Sequence, residues 1–240
     1  MVIGLGSFKE WFHKYEKYYV LIGGTACDLL MSEIGAEFRA TRDIDMVLIA
    51  ETLDAEFGVR FWEYIKMAGY EQRFKSIGKS VYYRFKTPKS ADYPAMIELF
   101  SRRIDEIVLP PDANLTPIPI GDDISSLSAI LLDDDYYDFL KSGLTNIDGV
   151  PVLRAIHMIP FKAKAWIDLS KRKANGGHVD SKDIRKHKND VLRLSELLLP
   201  DITLNLPDTI KHDMLTFFAE VDYPEKYARV AAAFGLSDAI

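Results

Sequence analysis

The sequence predicts an α+β protein, in which a mixed sheet with helices is followed by a mainly helical C-terminal region. Two observations carry this prediction. Strand-like and helical segments alternate up to about residue 100, and helical spacing of apolar residues dominates after residue 154. A composition of 48% hydrophobic and 28% charged residues over 240 positions is that of an ordinary globular protein. We therefore predict an α+β core over residues 1–153 and a basic helical region over 154–240.

The first half begins with a strand, a glycine turn and a helix. Aromatic and β-branched residues over 18–22 predict the strand, Gly23-Gly24 the turn, and the spacing of Ala26, Leu29 and Leu30 the helix. Further strands are predicted over 43–49, 81–85 and 95–100. Between the first two of these, residues 57–68 have helical spacing, and Gly69 is a suitable C-cap.

The second half changes from loop to helix. Proline and acidic residues over 110–123 predict a long surface excursion. Short strands are predicted over 127–132 and 150–153, with a turn at 146–149. A helix is expected to begin at Pro160 and run to residue 173, and a second, capped by Asp180 or Ser181, to run to Leu199. Two or three shorter helices are expected in the last forty residues.

Composition also limits the class and location of the protein. No apolar run approaches the roughly 18–20 residues that a membrane-spanning helix needs. Residues 1–17 lack the pattern of a signal peptide. The single cysteine, Cys27, cannot form an internal disulfide and fits a reducing compartment. We therefore expect a cytoplasmic protein without a membrane partner.

Charge is unevenly distributed along the chain. The formal net charge is −6, which argues against nucleic-acid binding by the whole surface. Residues 154–193, however, contain eleven Lys or Arg against four Asp, a net charge of +7. This segment has the charge that a polyanionic substrate requires, although a solvated pair of helices is the simpler interpretation.

Asp43 and Asp45 are the first candidates for chemistry. They are two residues apart on a predicted strand, so their side chains leave the same face. Two facing carboxylates repel each other unless a cation lies between them, and oxygen ligands favour Mg²⁺ or Mn²⁺. Upstream, Gly23-Gly24 at a strand–helix junction allows backbone N–H groups to approach phosphate oxygens. The order of elements therefore predicts a phosphate-binding turn beside a two-carboxylate metal site.

Two segments, 23–26 (GGTA) and 39–45 (RATRDID), together resemble the signature of AbiEii-type nucleotidyltransferases. This family belongs to the DNA polymerase β-like superfamily and includes toxins of type IV toxin–antitoxin systems. Its pattern is Gly-Gly-x-Ala followed by Arg-x-Thr-x-Asp-x-Asp, and every fixed position is met. More loosely, residues 159–165 (IPFKAKA) resemble the helix that presents a lysine to the nucleotide phosphates, and 186–191 (KHKNDV) resemble the closing Arg-Asp-x-x-Asp helix.

The resemblance implies that a nucleoside monophosphate is transferred from an NTP to an acceptor by two-metal catalysis with Mg²⁺ or Mn²⁺. It assigns catalysis and metal binding to Asp43 and Asp45, with Glu98 as the candidate third carboxylate. The residues assigned to nucleotide binding are Gly23, Gly24, Thr25, Arg39, Lys162 and Asp190. The resemblance further implies tRNA as an acceptor and an antitoxin protein as a partner.

Three residues depart from the superfamily pattern. Gly24 replaces the serine of the usual Gly-Ser, which leaves Thr25 as the nearest hydroxyl; Glu98 replaces the usual third aspartate; and His187 stands where aspartate is frequent. Two alternatives therefore stay open. One is a catalytically inactive nucleotide- or metal-binding module that acts through a partner. The other is an aminoglycoside-type small-molecule nucleotidyltransferase, for which the acidic run 133–135 would attract a cationic acceptor.

Helical spacing makes further predictions for the basic region. Lys162 and Trp166 share one face, on which Trp166 is expected in the core and Lys162 requires an anion. Lys164 is expected to be solvated. Asp183, His187 and Asp190 share a face of the next helix, where they are expected to form a surface network.

Overall fold

The computed structural model describes residues 2–72, 83–100, 130 and 133–240. The chain forms two compact units, unit 1 with Met1–Ile124 and Leu144–Leu153, and unit 2 with Ser125–Gly143 and Arg154–Ile240. Where the sequence predicts one division near residue 153, the chain changes unit three times, because residues 144–153 return to the sheet of unit 1. The predicted excursion over 110–123 lies outside the described residues. So does the predicted strand over 127–132, apart from Ile130, which is helical.

The described part of unit 1 contains a seven-stranded mixed sheet in the order β3-β4-β5-β2-β1-β7-β6. Its strands are β1 (Tyr19–Ile22), β2 (Asp43–Leu48), β3 (Glu71–Gln72), β4 (Tyr83–Lys86), β5 (Met96–Phe100), β6 (Leu144–Ile147) and β7 (Val150–Leu153). β1 runs antiparallel to β2, whereas β2 and β5 are parallel, as are β1 and β7. The predicted α+β class with a mixed sheet is confirmed. The sequence did not predict β6, because a turn-forming asparagine interrupts its short apolar pattern.

The described residues of unit 1 form three α-helices: α1 (Leu5–Phe12), α2 (Gly23–Glu33) and α3 (Ala55–Ala68). An aromatic core packs α1 and α3 against the strands. The ring of Phe8 lies 5.6 Å from that of Tyr19, and the ring of Phe12 lies 5.3 Å from that of Tyr64. Gly69 ends α3 with φ 67°, as predicted. Tyr19 and Leu21 alternate with Val20 and Ile22, so this aromatic core lies on the Tyr19 face of the sheet.

Unit 2 is helical in its described residues. Its helices are α4 (Asp134–Ser142), α5 (Ala155–Ala174), α6 (Ser181–Ser195), α7 (Asp208–Glu220) and α8 (Ala228–Ala233). The predicted start of α5 at Pro160 is wrong. The helix begins five residues earlier and contains Pro160, whose missing N–H leaves the Ile156 carbonyl without its usual helical donor. α6 is capped by Asp180, as expected, but ends before the predicted Leu199.

Aromatic contacts also hold the helices of unit 2 together. Trp166 of α5 packs edge-on against Phe217 of α7 at 5.3 Å, and Phe217 contacts Tyr227 at 5.1 Å. Trp166 is therefore a core residue, as predicted. None of the described helices combines the length and apolar character that crossing a bilayer requires.

Candidate functional site

Three of the predicted site carboxylates lie on one face of the sheet in unit 1. Asp45 of β2 is in register with Glu98 of the neighbouring parallel strand β5, and Asp43 precedes Asp45 by two residues. Partners in register on adjacent strands point to the same side, as do residues two apart on one strand. All three residues are half-buried. The structure therefore places Asp43, Asp45 and Glu98 together on one surface, opposite the aromatic core.

The buried residues next to these carboxylates fix the register of β2 with β5. Ile44 and Met46 alternate with the carboxylates on β2 and are fully buried, and Ile97 and Leu99 do the same on β5. A slip of one residue would expose these apolar side chains and bury the acids, at a large cost in free energy. The position of the carboxylates thus follows from the hydrophobic pattern of the two strands.

Gly23 forms the turn between β1 and α2, directly beside Asp45. Its φ of 69° lies in the left-handed region, which L side chains rarely adopt. The space that a Cβ would need is occupied by the carboxylate of Asp45. Two separate constraints, conformation and close approach, therefore require glycine at this position.

Thr25, in the first turn of α2, connects the glycine turn to β2. Its hydroxyl donates a hydrogen bond to the carbonyl oxygen of Asp43 at 2.6 Å, and the residue is fully buried. The hydroxyl thus holds the start of β2 against α2. The hydroxyl beside Gly24 is that of Thr41.

The carboxylates of β2 and β5 are the candidate ligands for a divalent metal. Within residues 2–72, 83–100 and 133–240, no group of three or more His, Cys, Asp or Glu side chains is arranged to hold a metal ion by itself. Mg²⁺, however, is usually held by one or two carboxylates, with waters and substrate phosphates completing its coordination. Asp43, Asp45 and Glu98 provide ligands of this kind. Their chemistry fits a cation shared with a phosphate compound better than a cage made of protein alone.

Comparison with known proteins identifies the fold. No protein-family model and no curated protein matches the chain. Among solved structures, it is similar to an antigenic nucleotidyltransferase-like protein from Paracoccidioides brasiliensis, with a TM-score of 0.50 and 15% sequence identity. The similarity covers 97% of this chain and 95% of the other. The chain has a nucleotidyltransferase-like fold. This likeness covers the fold alone and does not extend to the AbiEii family.

In unit 2 of this nucleotidyltransferase-like fold, Lys162 and Asp190 form a buried ion pair. The Nζ of Lys162 lies 3.0 Å from Oδ2 of Asp190, and their side chains are only 7% and 3% exposed. Asp190 is therefore the anion that the burial of Lys162 requires, and the pair joins α5 to α6. The expected surface network is wrong in this respect, because Asp190 is buried whereas Asp183 is exposed and His187 is half-buried.

The prediction that Lys164 is solvated is also wrong. Its Nζ lies 3.3 Å from a carboxylate oxygen of both Asp168 and Asp213, and the hydroxyl of Tyr136 donates to Asp213 at 3.1 Å. Burial alone would lower the pKa of Lys164, but the two aspartates more than offset it, so its pKa is raised. Burial also raises the pKa of Asp168, against the opposing effect of Lys164. These groups line a cavity of about 270 Å³ together with Asp133.

Basic side chains are exposed on the helical hairpin of α5 and α6. Lys182, Arg185, Lys186 and Arg193 lie on the outer surface of α6 with helical spacing, opposite the buried Val191 and Leu194. The end of α5 adds the exposed Lys171, Arg172 and Lys173. Lys188 instead contacts Asp222 at 3.2 Å. Lys182, Arg185, Lys186 and Arg193, defined here as the basic stripe, thus form a row of exposed basic side chains on unit 2.

Proposed function

We propose that the protein is a nucleotidyltransferase that moves a nucleoside monophosphate from an NTP to the hydroxyl of an acceptor, with Mg²⁺ or Mn²⁺ bound at Asp43, Asp45 and Glu98. One observation carries the proposal. Asp45 is in register with Glu98 on one face of the sheet, while its carboxylate contacts the glycine turn that begins α2. Carboxylates for a cation and backbone N–H groups for a phosphate are therefore adjacent.

In this proposal the groups of unit 1 position the triphosphate and the acceptor. The N–H groups of the first turn of α2 and the guanidinium of Arg39 bind phosphate oxygens, and the carboxylates of β2 and β5 orient the cations. The divalent ions, when bound, neutralise phosphate charge and activate the attacking hydroxyl. The acceptor hydroxyl gives up its proton to solvent, and its oxygen forms a bond to the α-phosphorus while the bond between that phosphorus and the pyrophosphate oxygen breaks, so that pyrophosphate leaves. Most of the acceleration comes from positioning and charge stabilisation.

Lys162 and Asp190 can contribute to nucleotide binding under one condition. In the described structure Asp190 neutralises Lys162. Lys162 binds a nucleotide phosphate, as the family resemblance implies, only if the phosphate replaces Asp190 or shares the ammonium group with it. Thr25 contributes its backbone N–H to the proposed phosphate site, because its hydroxyl is bonded to Asp43.

For the acceptor we propose an RNA of the tRNA type. The basic stripe supports this acceptor, because RNA affinity comes largely from lysine and arginine contacts with phosphates. The family resemblance extends the proposal to a cytoplasmic toxin controlled by an antitoxin protein. A small cationic acceptor is the second candidate, supported by the cavity in unit 2, where Asp133, Asp168 and Asp213 outnumber Lys164.

The test combines binding and transfer. Calorimetry with each of the four NTPs, with and without Mg²⁺ or Mn²⁺, should show metal-dependent affinity that is lost in Asp43→Asn/Asp45→Asn. The matched control, Glu10→Gln/Glu63→Gln, removes two carboxylates outside the site and should bind like the parent. Transfer is followed with α-³²P-labelled NTPs offered total RNA or a cationic aminoglycoside.

Each result separates the candidates. Label on RNA supports the RNA acceptor, and label on the aminoglycoside supports the small-molecule acceptor. Metal-dependent binding without label on any acceptor supports the inactive binding module. Unchanged metal-dependent affinity in the double aspartate variant would overturn the assignment of the site.

A further inference from the structure

We propose that Thr41 is a phosphate-binding residue, whose hydroxyl occupies the place of a side chain at Gly24. This inference rests on the proposed function, because it names a further group that binds the triphosphate of the NTP.

Gly24 and its neighbour Gly23 are glycines for different reasons. The backbone of Gly23 has a positive φ, whereas that of Gly24 lies in a region open to any residue. A Cβ at Gly24 would instead lie 2.8 Å from Oγ1 and 3.2 Å from Cβ of Thr41, with Nη2 of Arg39 at 3.4 Å. The Thr41 hydroxyl and the Arg39 guanidinium therefore fill the volume that a side chain at Gly24 would use.

Thr41 also has the spacing and the partial burial of the two aspartates of β2. It precedes Asp43 by two residues and Asp45 by four, and all three are half-buried, whereas Ile44 and Met46 are fully buried. The hydroxyl of Thr25 cannot take the same role, because it is fully buried and donates to the Asp43 carbonyl. Thr41 is thus the threonine whose hydroxyl lies at the glycine turn.

These groups together have the chemistry of a triphosphate site. A hydroxyl donates one hydrogen bond to a phosphate oxygen, and a guanidinium adds charge and further donors. Both lie at the first turn of α2, where the helix dipole favours an anion. The carboxylates of β2 follow directly, on the side where the cation would bind. We infer that the phosphates bind between the Thr41–Arg39 pair and the cation held by Asp43 and Asp45.

The experiment removes the hydroxyl group at Thr41 and then supplies one from residue 24. Calorimetry measures the affinity of the full chain for Mg²⁺–tripolyphosphate, which is the part common to all NTPs, and for each Mg²⁺–NTP. Thr41→Val removes the hydroxyl with little change in shape and should weaken both ligands about 10- to 100-fold. Thr41→Ser keeps the hydroxyl and should bind within about threefold of the parent.

The exchange variants separate a binding role from a structural one. Gly24→Ser alone should weaken binding, because its side chain displaces the Thr41 hydroxyl. Gly24→Ser/Thr41→Ala supplies a hydroxyl from the other side of the same space and should bind about tenfold more tightly than Thr41→Ala. Ser32→Ala, which removes an exposed hydroxyl farther along α2, is the matched control and should bind like the parent.

Failure of this inference differs from failure of the proposed function. If the parent binds a Mg²⁺–NTP and Thr41→Val binds it equally well, the inference is overturned and the proposed function stands. If the parent binds neither tripolyphosphate nor any NTP, both are overturned. Should Thr41→Val unfold, as judged by circular dichroism, Thr41→Ala and the double variant decide: a folded double variant that binds no better than Thr41→Ala overturns the inference.

Discussion

The carboxylate of Asp45 occupies the space that a side chain at Gly23 would need. The glycine turn at the start of α2 and the second acid of β2 therefore cannot be changed independently. Ile22, the residue before the turn, is also the register partner of Asp45 across the β1–β2 pair. Backbone pairing and side-chain contact thus hold the turn and the carboxylate in one arrangement.

Gly23→Ala should lower both stability and nucleotide affinity. The positive φ of Gly23 imposes a backbone penalty of about 1–2 kcal/mol on any L residue. The added methyl group must also displace the Asp45 carboxylate, which we expect to raise the total loss to about 3 kcal/mol. Urea unfolding measures the stability, and calorimetry with Mg²⁺–NTP measures the affinity.

Gly35→Ala is the matched control for that prediction. Gly35 has a φ of 70°, and its Cβ position has no neighbour within 4 Å. This variant should show the backbone penalty alone and keep its nucleotide affinity. Equal losses in the two variants would contradict the steric coupling between Gly23 and Asp45.

The Lys162–Asp190 pair should dominate the effect of charge on the stability of unit 2. Removing one partner takes the ion-pair contact away from a buried charge, and breaking a buried pair in this way typically costs about 3–5 kcal/mol. Lys162→Met and Asp190→Leu should each be strongly destabilised, whereas the double variant should recover much of the loss. Urea unfolding of the three variants measures the coupling.

Lys188→Met is the control for the buried pair, since Lys188 contacts the mostly exposed Asp222. Its effect should stay below about 1 kcal/mol. A loss at Lys162 no larger than this would show that the buried pair is not needed for the packing of α5 on α6. Nucleotide affinity measured on the same variants tests whether Lys162 also binds phosphate.

His157 should make the protein less stable in mild acid. The residue is 4% exposed, its ring packs at a tilt against that of Phe139 with 4.6 Å between the ring centroids, and its Nδ1 has no hydrogen-bond partner among the described residues. Burial, reinforced by the charge of Arg154, lowers the pKa of His157 from 6.5 to about 4. The unfolded chain therefore takes up a proton at higher pH than the folded chain. Stability is fully present above pH 6.5 and falls by roughly 3 kcal/mol as the pH drops to 4.

His157→Phe should flatten that part of the profile, because phenylalanine retains the ring contact and cannot be protonated. Urea unfolding between pH 4 and 7 measures the slope for parent and variant. His178→Gln, at an exposed histidine, is the control and should follow the parent. An unchanged slope in His157→Phe would assign the acid sensitivity to other groups.

RNA binding should depend on the basic stripe and on salt. Each phosphate contact contributes about −0.7 to −0.9 to the slope of log affinity against log salt concentration. Charge reversal at Lys182, Arg185 and Lys186 should flatten this slope by roughly 2–3 and leave NTP affinity unchanged. Filter binding with total tRNA at several ionic strengths measures this slope for the parent and for the variant. Salt-independent binding, or no RNA retained at low salt, would exclude the RNA acceptor.

Lys188 is left out of that charge reversal on purpose. Its ammonium contacts Asp222, so a glutamate there would place two carboxylates together and change stability as well as surface charge. Reversal at Lys14, Lys66 and Lys89, three exposed lysines of unit 1, keeps the same change in net charge and serves as the control. Equal effects of the two triple variants would indicate a response to net charge alone.

The central strands and their carboxylates were predictable from sequence because local patterns determine them. Ile44 and Met46 on one side, and Asp43 and Asp45 on the other, specify both a strand and its orientation. The pairing of Asp45 with Glu98 needed one further assumption, that the two strands are neighbours, which the structure confirms. Thr41 is a fixed position of the Arg-x-Thr-x-Asp-x-Asp pattern, and its spacing of two residues from Asp43 is the signal in the sequence that relates it to the site.

Contacts between distant residues were not predictable in this way. The sequence shows that Lys162 needs an anion, but only tertiary structure selects Asp190, which is 28 positions away. The same holds for Lys164, whose partner Asp213 lies on another helix. The start of α5 could not be predicted from Pro160, because a proline at a helix start and a proline inside a helix have similar flanking sequences.

The hairpin of β6 and β7 has a consequence for how the chain acquires its structure. Gly143 and Arg154, where the chain leaves and re-enters unit 2, are joined by a backbone hydrogen bond of 2.9 Å. During synthesis, the sheet of unit 1 lacks two strands until about 150 residues have emerged. By then α4, which belongs to the other unit, has already been made. Neither unit can therefore be released intact by a single cleavage, and β1 stays an edge strand, open to pairing with another chain, until β7 has been made.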